Sequence, residues 1–221
     1  MIGPPDRSSS STRLVIFDLG RVLVRICRDW QHACECADIA LPTRAPSHVD
    51  KKRLQDLFHQ AEVGAIDFDE LAREAAPLMG LSPIQVQAIS EAFIFGPYPG
   101  AAELLNELSQ AGVRTACLSN TNEHHWGLLS EVGHRAFISL DRLDHRFASH
   151  LIRARKPDEE IYSHVESQTG LPGDAMLFFD DLPENVAAAE RRGWNAQWID
   201  PSLDEPIGQI REALRRQDVL R

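Results

Sequence analysis

Most features that would assign this chain to a membrane, a secreted scaffold or nucleic acid are absent from it. Only four cysteines occur in 221 residues, Cys27, Cys34, Cys36 and Cys117. Their spacing contains no Cys-x-x-Cys pair and no disulfide framework. His32, Cys34 and Cys36 lie close enough in sequence to suggest zinc. One Cys-x-Cys without a second ligand pair, however, reads as reduced thiols packed like small hydrophobes in a helical segment. Reduced thiols point to the cytoplasm. No apolar run approaches the length of a bilayer span. Residues 1–12 carry two prolines and a run of four serines without the apolar stretch of a signal peptide, so they are expected to form a disordered tail. Basic side chains are scarce as well, 23 Lys and Arg against 33 Asp and Glu, for a net charge of −10. A surface of that sign repels nucleic acid and anionic membranes, although a local cluster of donors and a metal ion can still bind phosphate. Also missing are a Gly-x-x-x-x-Gly-Lys phosphate loop, a Gly-x-Ser-x-Gly elbow and a His-Glu-x-x-His helix.

What is present is an ordinary globular balance, 43% apolar and 25% charged. At this length it suits one domain, or one domain with a modest insertion. The run Leu14-Val15-Ile16-Phe17 is continuously apolar and closes at Asp18, with Gly20 just beyond. Such a run reads as a buried parallel strand with a loop at its carboxyl end. Similar runs end at Ser119-Asn120-Thr121-Asn122, at Asp180-Asp181 and at Asp200-Pro201, and Ala136-Phe137-Ile138 reads as one more strand. Helical patterns lie between them. Ala101, Leu104, Leu105, Leu108 and Ala111 recur at helical spacing up to Gly112, and further helices are expected around Ile161 and Val165, over residues 184–192, and around Ile207, Ile210 and Leu214. Alternating strands and helices predict an α/β fold with a doubly wound, parallel, Rossmann-like sheet. Residues 28–95 break the alternation and carry helical patterns alone. They predict a small α-helical module inserted into a core formed by residues 13–27 and 96–221.

In an open α/β sheet, ligands bind outside the carboxyl ends of the strands. That rule gathers Asp18, Ser119, Asn120, Asp180 and Asp181 into one crevice, with Lys156 entering from the head of another helix. Singly these residues are ordinary, since aspartates cap turns and Ser-Asn after a strand is turn chemistry. Their order and shared strand-end position carry the reading. A carboxylate can attack phosphorus and divide a difficult displacement into two easier steps. An anion attacking an anion needs a cation between them, and magnesium is typically held by one or two carboxylates. A hydroxyl, an amide and a lysine can then hold the phosphoryl oxygens.

Four segments in this order resemble the motifs of the haloacid dehalogenase superfamily. They are Phe17-Asp18-Leu19-Gly20-Arg21-Val22-Leu23, Leu118-Ser119-Asn120-Thr121-Asn122, Arg155-Lys156-Pro157-Asp158 and Phe178-Phe179-Asp180-Asp181. The inserted module resembles that superfamily's helical cap. Within it, Phe58-His59-Gln60 and Glu62-x-Gly64-x-Ile66 look like the bacterial α-D-glucose-1-phosphate phosphatase branch. The resemblance implies Asp18 as nucleophile, and Mg2+ held by the Asp18 and Asp181 side chains and the Gly20 carbonyl, with Asp180 supporting. It also implies Ser119, Asn120 and Lys156 as phosphate-binding groups, and a small phosphorylated metabolite, with sugar 1-phosphates favoured, as substrate.

One position departs from the pattern. Most phosphatases of the superfamily carry a second aspartate two residues after the nucleophile as proton donor, and here it is Gly20. General acid–base catalysis contributes on the order of 10²–10⁴-fold, so easily departing leaving groups are expected. His59, His124, His125 and Glu184 are the candidate replacements, and Arg21 is left without an assigned role. Gly20 also supports a second reading, a phospho-ligand-binding or regulatory protein that has kept the fold without the activity. Carbon–halogen hydrolysis and phosphomutase chemistry fit less well, because the former does not need the acidic pair and the latter needs the absent aspartate.

Overall fold

The computed structural model describes residues 12–40, 47–203 and 205–220. The expected tail lies outside them apart from Thr12. Among the described residues there are seven strands: β1 (Leu14–Phe17), β2 (Val24–Ile26), β3 (Ile94–Pro97), β4 (Thr115–Ser119), β5 (His145–Ala148), β6 (Met176–Asp180) and β7 (Asn195–Trp198). The helices are α1 (Trp30–Cys36), α2 (His48–Glu62), α3 (Phe68–Met79), α4 (Pro83–Ala92), α5 (Ala101–Gln110), α6 (Glu123–Ser130), α7 (Ser149–Ile152), α8 (Glu159–Thr169), α9 (Pro183–Arg191) and α10 (Pro206–Arg216).

Five strands form one sheet in the order β5-β4-β1-β6-β7, and every pairing in it is parallel. Strand β1 is central, which explains its unbroken apolar run. Val15 and Phe17 face one core with Leu104 and Leu108 of α5 and Ile210 and Leu214 of α10. Leu14 and Ile16 face the other, with Ile161 and Val165 of α8 and Ala189 of α9. The alternation of β1 between two apolar layers is the doubly wound architecture expected from the sequence.

Ala136-Phe137-Ile138 is not a strand. These residues form an irregular segment whose Ala136 and Ile138 are buried in the first core, where the Ile138 N–H bonds to the Leu129 carbonyl at 3.0 Å. The fifth strand is instead β5, His145-Arg146-Phe147-Ala148, at the edge of the sheet. Its first two residues are partly or fully exposed, so it has none of the apolar signature of a central strand.

The chain leaves and re-enters the core through an antiparallel ribbon of β2 and β3, irregular at Arg25/Ile26. Beyond it, α1 to α4 pack around their own apolar cluster, which includes Leu57, Phe68, Leu71 and Val86. The helices begin as their sequences direct: Ser47 and Ser82 form capping boxes with Asp50 and Gln85, and Asp67 caps α3. Close glycine contacts seat this module on the core. A Cβ at Gly64 would stand 2.4 Å from the His150 carbonyl oxygen. The structure also brings together a different trio from the one suggested by cysteine spacing. Ligand atoms of Cys27, His32 and Cys36 lie within 4.8 Å of one another, whereas Cys34 is buried beside Ala33 and Ile89. Burial, helped by Cys36, pushes the Cys27 thiol up to about 12, and burial raises Cys34 also.

Candidate active site

Strand β1 delivers Asp18 to the carboxyl edge of the sheet, and β6 ends there at Asp180, followed by Asp181. The Asp18 N–H bonds to the Phe179 carbonyl at 2.8 Å, which locks the two strand ends together. The chain then turns sharply. The Leu19 carbonyl accepts from the N–H groups of Leu23 and Val24 at 2.9 and 2.7 Å, and Arg21 takes a left-handed conformation with φ 59°. This fold-back places Gly20 beside the crevice.

The Lys156 ammonium occupies the centre, 1% exposed as a residue. It donates to Asp18 Oδ1 at 2.9 Å and to Asp180 Oδ2 at 2.6 Å. Asp180 is committed to the protein on its other oxygen too, where Oδ1 accepts from the Leu182 N–H and from Asn185 Nδ2, both at 2.9 Å. Asp181 lies 3.6 Å from Arg21 Nη1. Arg21 in turn donates to the Arg28 carbonyl at 2.7 Å, so it ties Asp181 to the start of the helical module.

Ser119 and Asn120, at the end of β4, line the same cavity as Gly20. The Asn120 side chain is also engaged with Lys156, because its Nδ2 donates to the Lys156 carbonyl at 2.9 Å and its Oδ1 accepts from the Lys156 N–H at 2.8 Å. The Lys156–Pro157 peptide is cis. The loop after β4 is held by Ser149, whose hydroxyl accepts from the Thr121 N–H at 2.9 Å and donates to the Thr121 carbonyl at 3.0 Å.

Three carboxylates with oxygens within 4.8 Å of one another make an unbalanced cluster. Burial pushes Asp18 up to about 7, against the pull of Lys156 and with Asp180 adding to the rise. Burial and Asp180 also raise Asp181, opposed by Arg21 and Lys156. Burial alone would lower Lys156, but the two carboxylates outweigh it and hold the ammonium above the usual lysine range. One buried ammonium among three acids leaves carboxylates that a further cation would stabilise in their charged form. Hard carboxylate oxygens are the donor set that magnesium takes, so the residues present fit that ion.

Of the four candidate acids, only His125 lines the cavity. Its Nε2–H donates to the Ser90 carbonyl at 3.1 Å, with the Ser90 hydroxyl at 2.8 Å. Burial first, and then His124, push its ring down to about 4, so it is neutral near pH 7. His124 stacks on Phe68 with ring centroids 4.1 Å apart. His59 and Glu184 are exposed and do not line this cavity.

Over residues 12–193 the sequence matches the family described as haloacid dehalogenase-like hydrolases. The chain belongs to that family. A phosphatase of Mycobacterium tuberculosis is 28% identical over 215 residues, covering 91% of this chain and 94% of that protein. A sesquiterpene phosphatase of Aspergillus oryzae is 31% identical over 150 residues, 67% of this chain and 74% of that protein. The fold is shared with a haloacid dehalogenase family enzyme of Bacteroides thetaiotaomicron, solved in complex with magnesium and inorganic phosphate. That structure has a TM-score of 0.68 at 22% identity, covering 86% of this chain and 95% of that one.

Within this haloacid dehalogenase-like site, sequence reasoning passed over several contributors. Asn185 anchors Asp180 from the first turn of α9, one residue after the Glu184 that had been singled out. Arg155, next to Lys156, donates to Glu62 of the cap at 2.8 Å across 93 residues. The apolar side of the cavity comes from Trp30, Phe58 and Phe93 of the cap. Asn185 and Arg155 stand beside motif residues, and Phe58 and Phe93 fall in the apolar helical patterns of residues 28–95, but none of those signals specifies a partner.

Proposed function

We propose that this hydrolase is a magnesium-dependent phosphatase that cleaves small phosphate monoesters through an aspartyl-phosphate on Asp18. The observation that carries the reading is the placement of Lys156 between Asp18 and Asp180, with Asp181 adjacent, at the carboxyl ends of two neighbouring strands. The phosphatase names of the two sequence relatives support it.

An Asp18 oxygen attacks phosphorus, the ester P–O bond breaks, and the departing oxygen takes its proton from water. Water then attacks the acyl phosphate, releases inorganic phosphate and restores the carboxylate. When bound, magnesium held by Asp18, Asp181 and the Gly20 carbonyl, with Asp180 behind them, would offset the phosphoryl charge. Ser119 and Lys156 hold phosphoryl oxygens, and Asn120 assists both directly and by fixing the Lys156 backbone. Because Gly20 supplies no proton, esters whose alcohol leaves with little help, such as sugar 1-phosphates, acyl phosphates and aryl phosphates, are favoured over other monoesters. Free cysteines, together with the lack of a membrane-spanning helix among the described residues, support a reducing, cytoplasmic setting with small phosphorylated metabolites as partners.

Hydrolysis of an aryl phosphate, measured with and without magnesium, tests the reading. Turnover is expected only with the ion and is expected to vanish in Asp18→Asn. Activity that persists in that variant would sink the assignment of the nucleophile. The second reading, a phospho-ligand binder, rests on Gly20 and predicts phosphate binding with no turnover of any ester.

A further inference from the structure

The cavity lined by Leu19 and Gly20, which follow Asp18 in the chain, and by Ser119 and Asn120 has a volume of about 310 Å³, in the range of small-ligand sites. Its wall away from the phosphate groups is apolar, formed by Val24 and Ile26 of the ribbon, Trp30, Phe58 and Phe93 of the cap, and Leu129 of α6. Ile26, Trp30, Phe58 and Phe93 are only partly covered by the apolar clusters they border. Their remaining faces turn to the cavity.

Several polar side chains in that wall are partly committed to the protein. Ser90 and His125 bond to each other, and Glu62 is paired with Arg155. The Asn122 side chain accepts from the His125 N–H at 3.0 Å as the cap of α6. The Thr121 hydroxyl donates to the Asn122 carbonyl at 3.3 Å. A polyhydroxylated leaving group would lose its hydrogen bonds to water on entering and recover few of them against a wall that is mostly apolar, an arrangement that disfavours polar ligands. Gly20 completes the wall. A Cβ there would meet Ile26 Cδ1 at 3.1 Å, so the glycine that removes a carboxylate also makes room for an apolar side chain in its place.

We infer that this cavity is an apolar leaving-group subsite, and that the substrate is the phosphate ester of a hydrocarbon-rich alcohol or phenol, not of a sugar. The inference rests on the phosphatase reading and narrows the esters it allows. An aryl ring and a branched hydrocarbon chain share this chemistry, and the test separates them.

The full chain with magnesium is assayed on matched pairs. 1-Naphthyl phosphate is set against phosphotyrosine, two phenol esters, and farnesyl monophosphate against glycerol 3-phosphate, two alkyl esters, with glucose 1-phosphate alongside. The apolar member of at least one pair is expected to lead by more than about tenfold in kcat/KM, the scale on which apolar pockets discriminate. Which pair shows the lead distinguishes ring from chain. Phe93→Asn and Ile26→Asn are expected to shrink that lead, read as a ratio within each variant so that partial misfolding cancels. Equal turnover within both pairs, or a lead for glucose 1-phosphate, overturns the inference and leaves the phosphatase reading standing. Failure to turn over any ester sinks that reading, and the inference with it.

Discussion

Replacing Gly20 with aspartate sets two effects against each other. Its Cβ would press on the far end of the Ile26 side chain, which can give by a few tenths of an ångström. Its carboxyl would restore a proton donor two residues from the nucleophile. General acid–base catalysis contributes about 10²–10⁴-fold, and an imperfectly seated donor recovers part of that. Gly20→Asp is therefore expected to raise kcat for an alkyl phosphate by about tenfold or more, and to change an aryl phosphate far less, because a phenol leaves without assistance. Steady-state kinetics on the two esters decide it. An equal response in both would mean that proton donation does not limit the native enzyme. Arg21 shows the same dependence on surroundings: it neither reaches into the cavity wall nor points freely to solvent, but joins Asp181 to the Arg28 carbonyl.

Between core and cap, polar contacts lie beside the stacking of His124 on Phe68 and of His125 on Phe93. Glu62, the last residue of α2, meets Arg155 immediately before the central lysine. The backbone N–H of Phe68, at the start of α3, bonds to Glu123 of α6 at 3.1 Å. With both partners of the Glu62–Arg155 pair more than a quarter exposed, the attraction is screened and is worth about 1 kcal/mol or less. Glu62→Gln is thus expected to raise KM by no more than about fivefold while kcat stays near the native value, since the chemistry is performed by the core. Faster amide exchange in α2 should accompany it. Unchanged KM and exchange would show that the seating of Gly64 on the His150 carbonyl, and not the ion pair, holds the cap in place.

The acid stability of the whole molecule depends on a buried histidine at the same boundary. His125, from α6, lies against Ser90 and Phe93 at the end of α4, and burial, followed by His124, lowers it from the ordinary 6.5 to about 4; the Ser90 carbonyl opposes the shift. Between those two values the unfolded chain binds a proton that the folded chain refuses, so stability rises with pH across the window and falls as pH drops from 6.5 toward 4. The largest loss this group can cause is about 3 kcal/mol, reached below pH 4. Asp18, raised to about 7, acts in the opposite direction over the same window, so the histidine is isolated by comparing variants. Between pH 7 and pH 5, denaturant unfolding should show the native chain losing stability relative to His125→Gln. A slope identical in the variant would assign the acid sensitivity to other groups.

Much of the architecture could be read directly from the chain. A central parallel strand buried on both faces is apolar along most of its length, and β1, β4 and β6 announce themselves in that way. Edge strand β5 has no such obligation and carries His145 and Arg146, whereas the apolar residues 136–138 pack as an irregular segment. The residues around Asp18 were legible because loops at the carboxyl ends of parallel strands must converge, and Lys156, Asp180 and Asp181 do meet it there.

Pairing was another matter. Composition and spacing could supply candidates for a replacement acid, but the tertiary structure buries His125 as a neutral ring and turns His59 and Glu184 away from the cavity. They could mark Cys34 as a thiol near His32, but Cys34 packs into an apolar cluster with Ala33 and Ile89, and Cys27, just past β2, lies near His32 instead. Local sequence sets which backbone states and which buried faces are favourable, because those energies arise between near neighbours. The partner of a charge, and the polarity of a cavity wall built from segments far apart in the chain, are decided only when packing brings those segments together and removes the water between them.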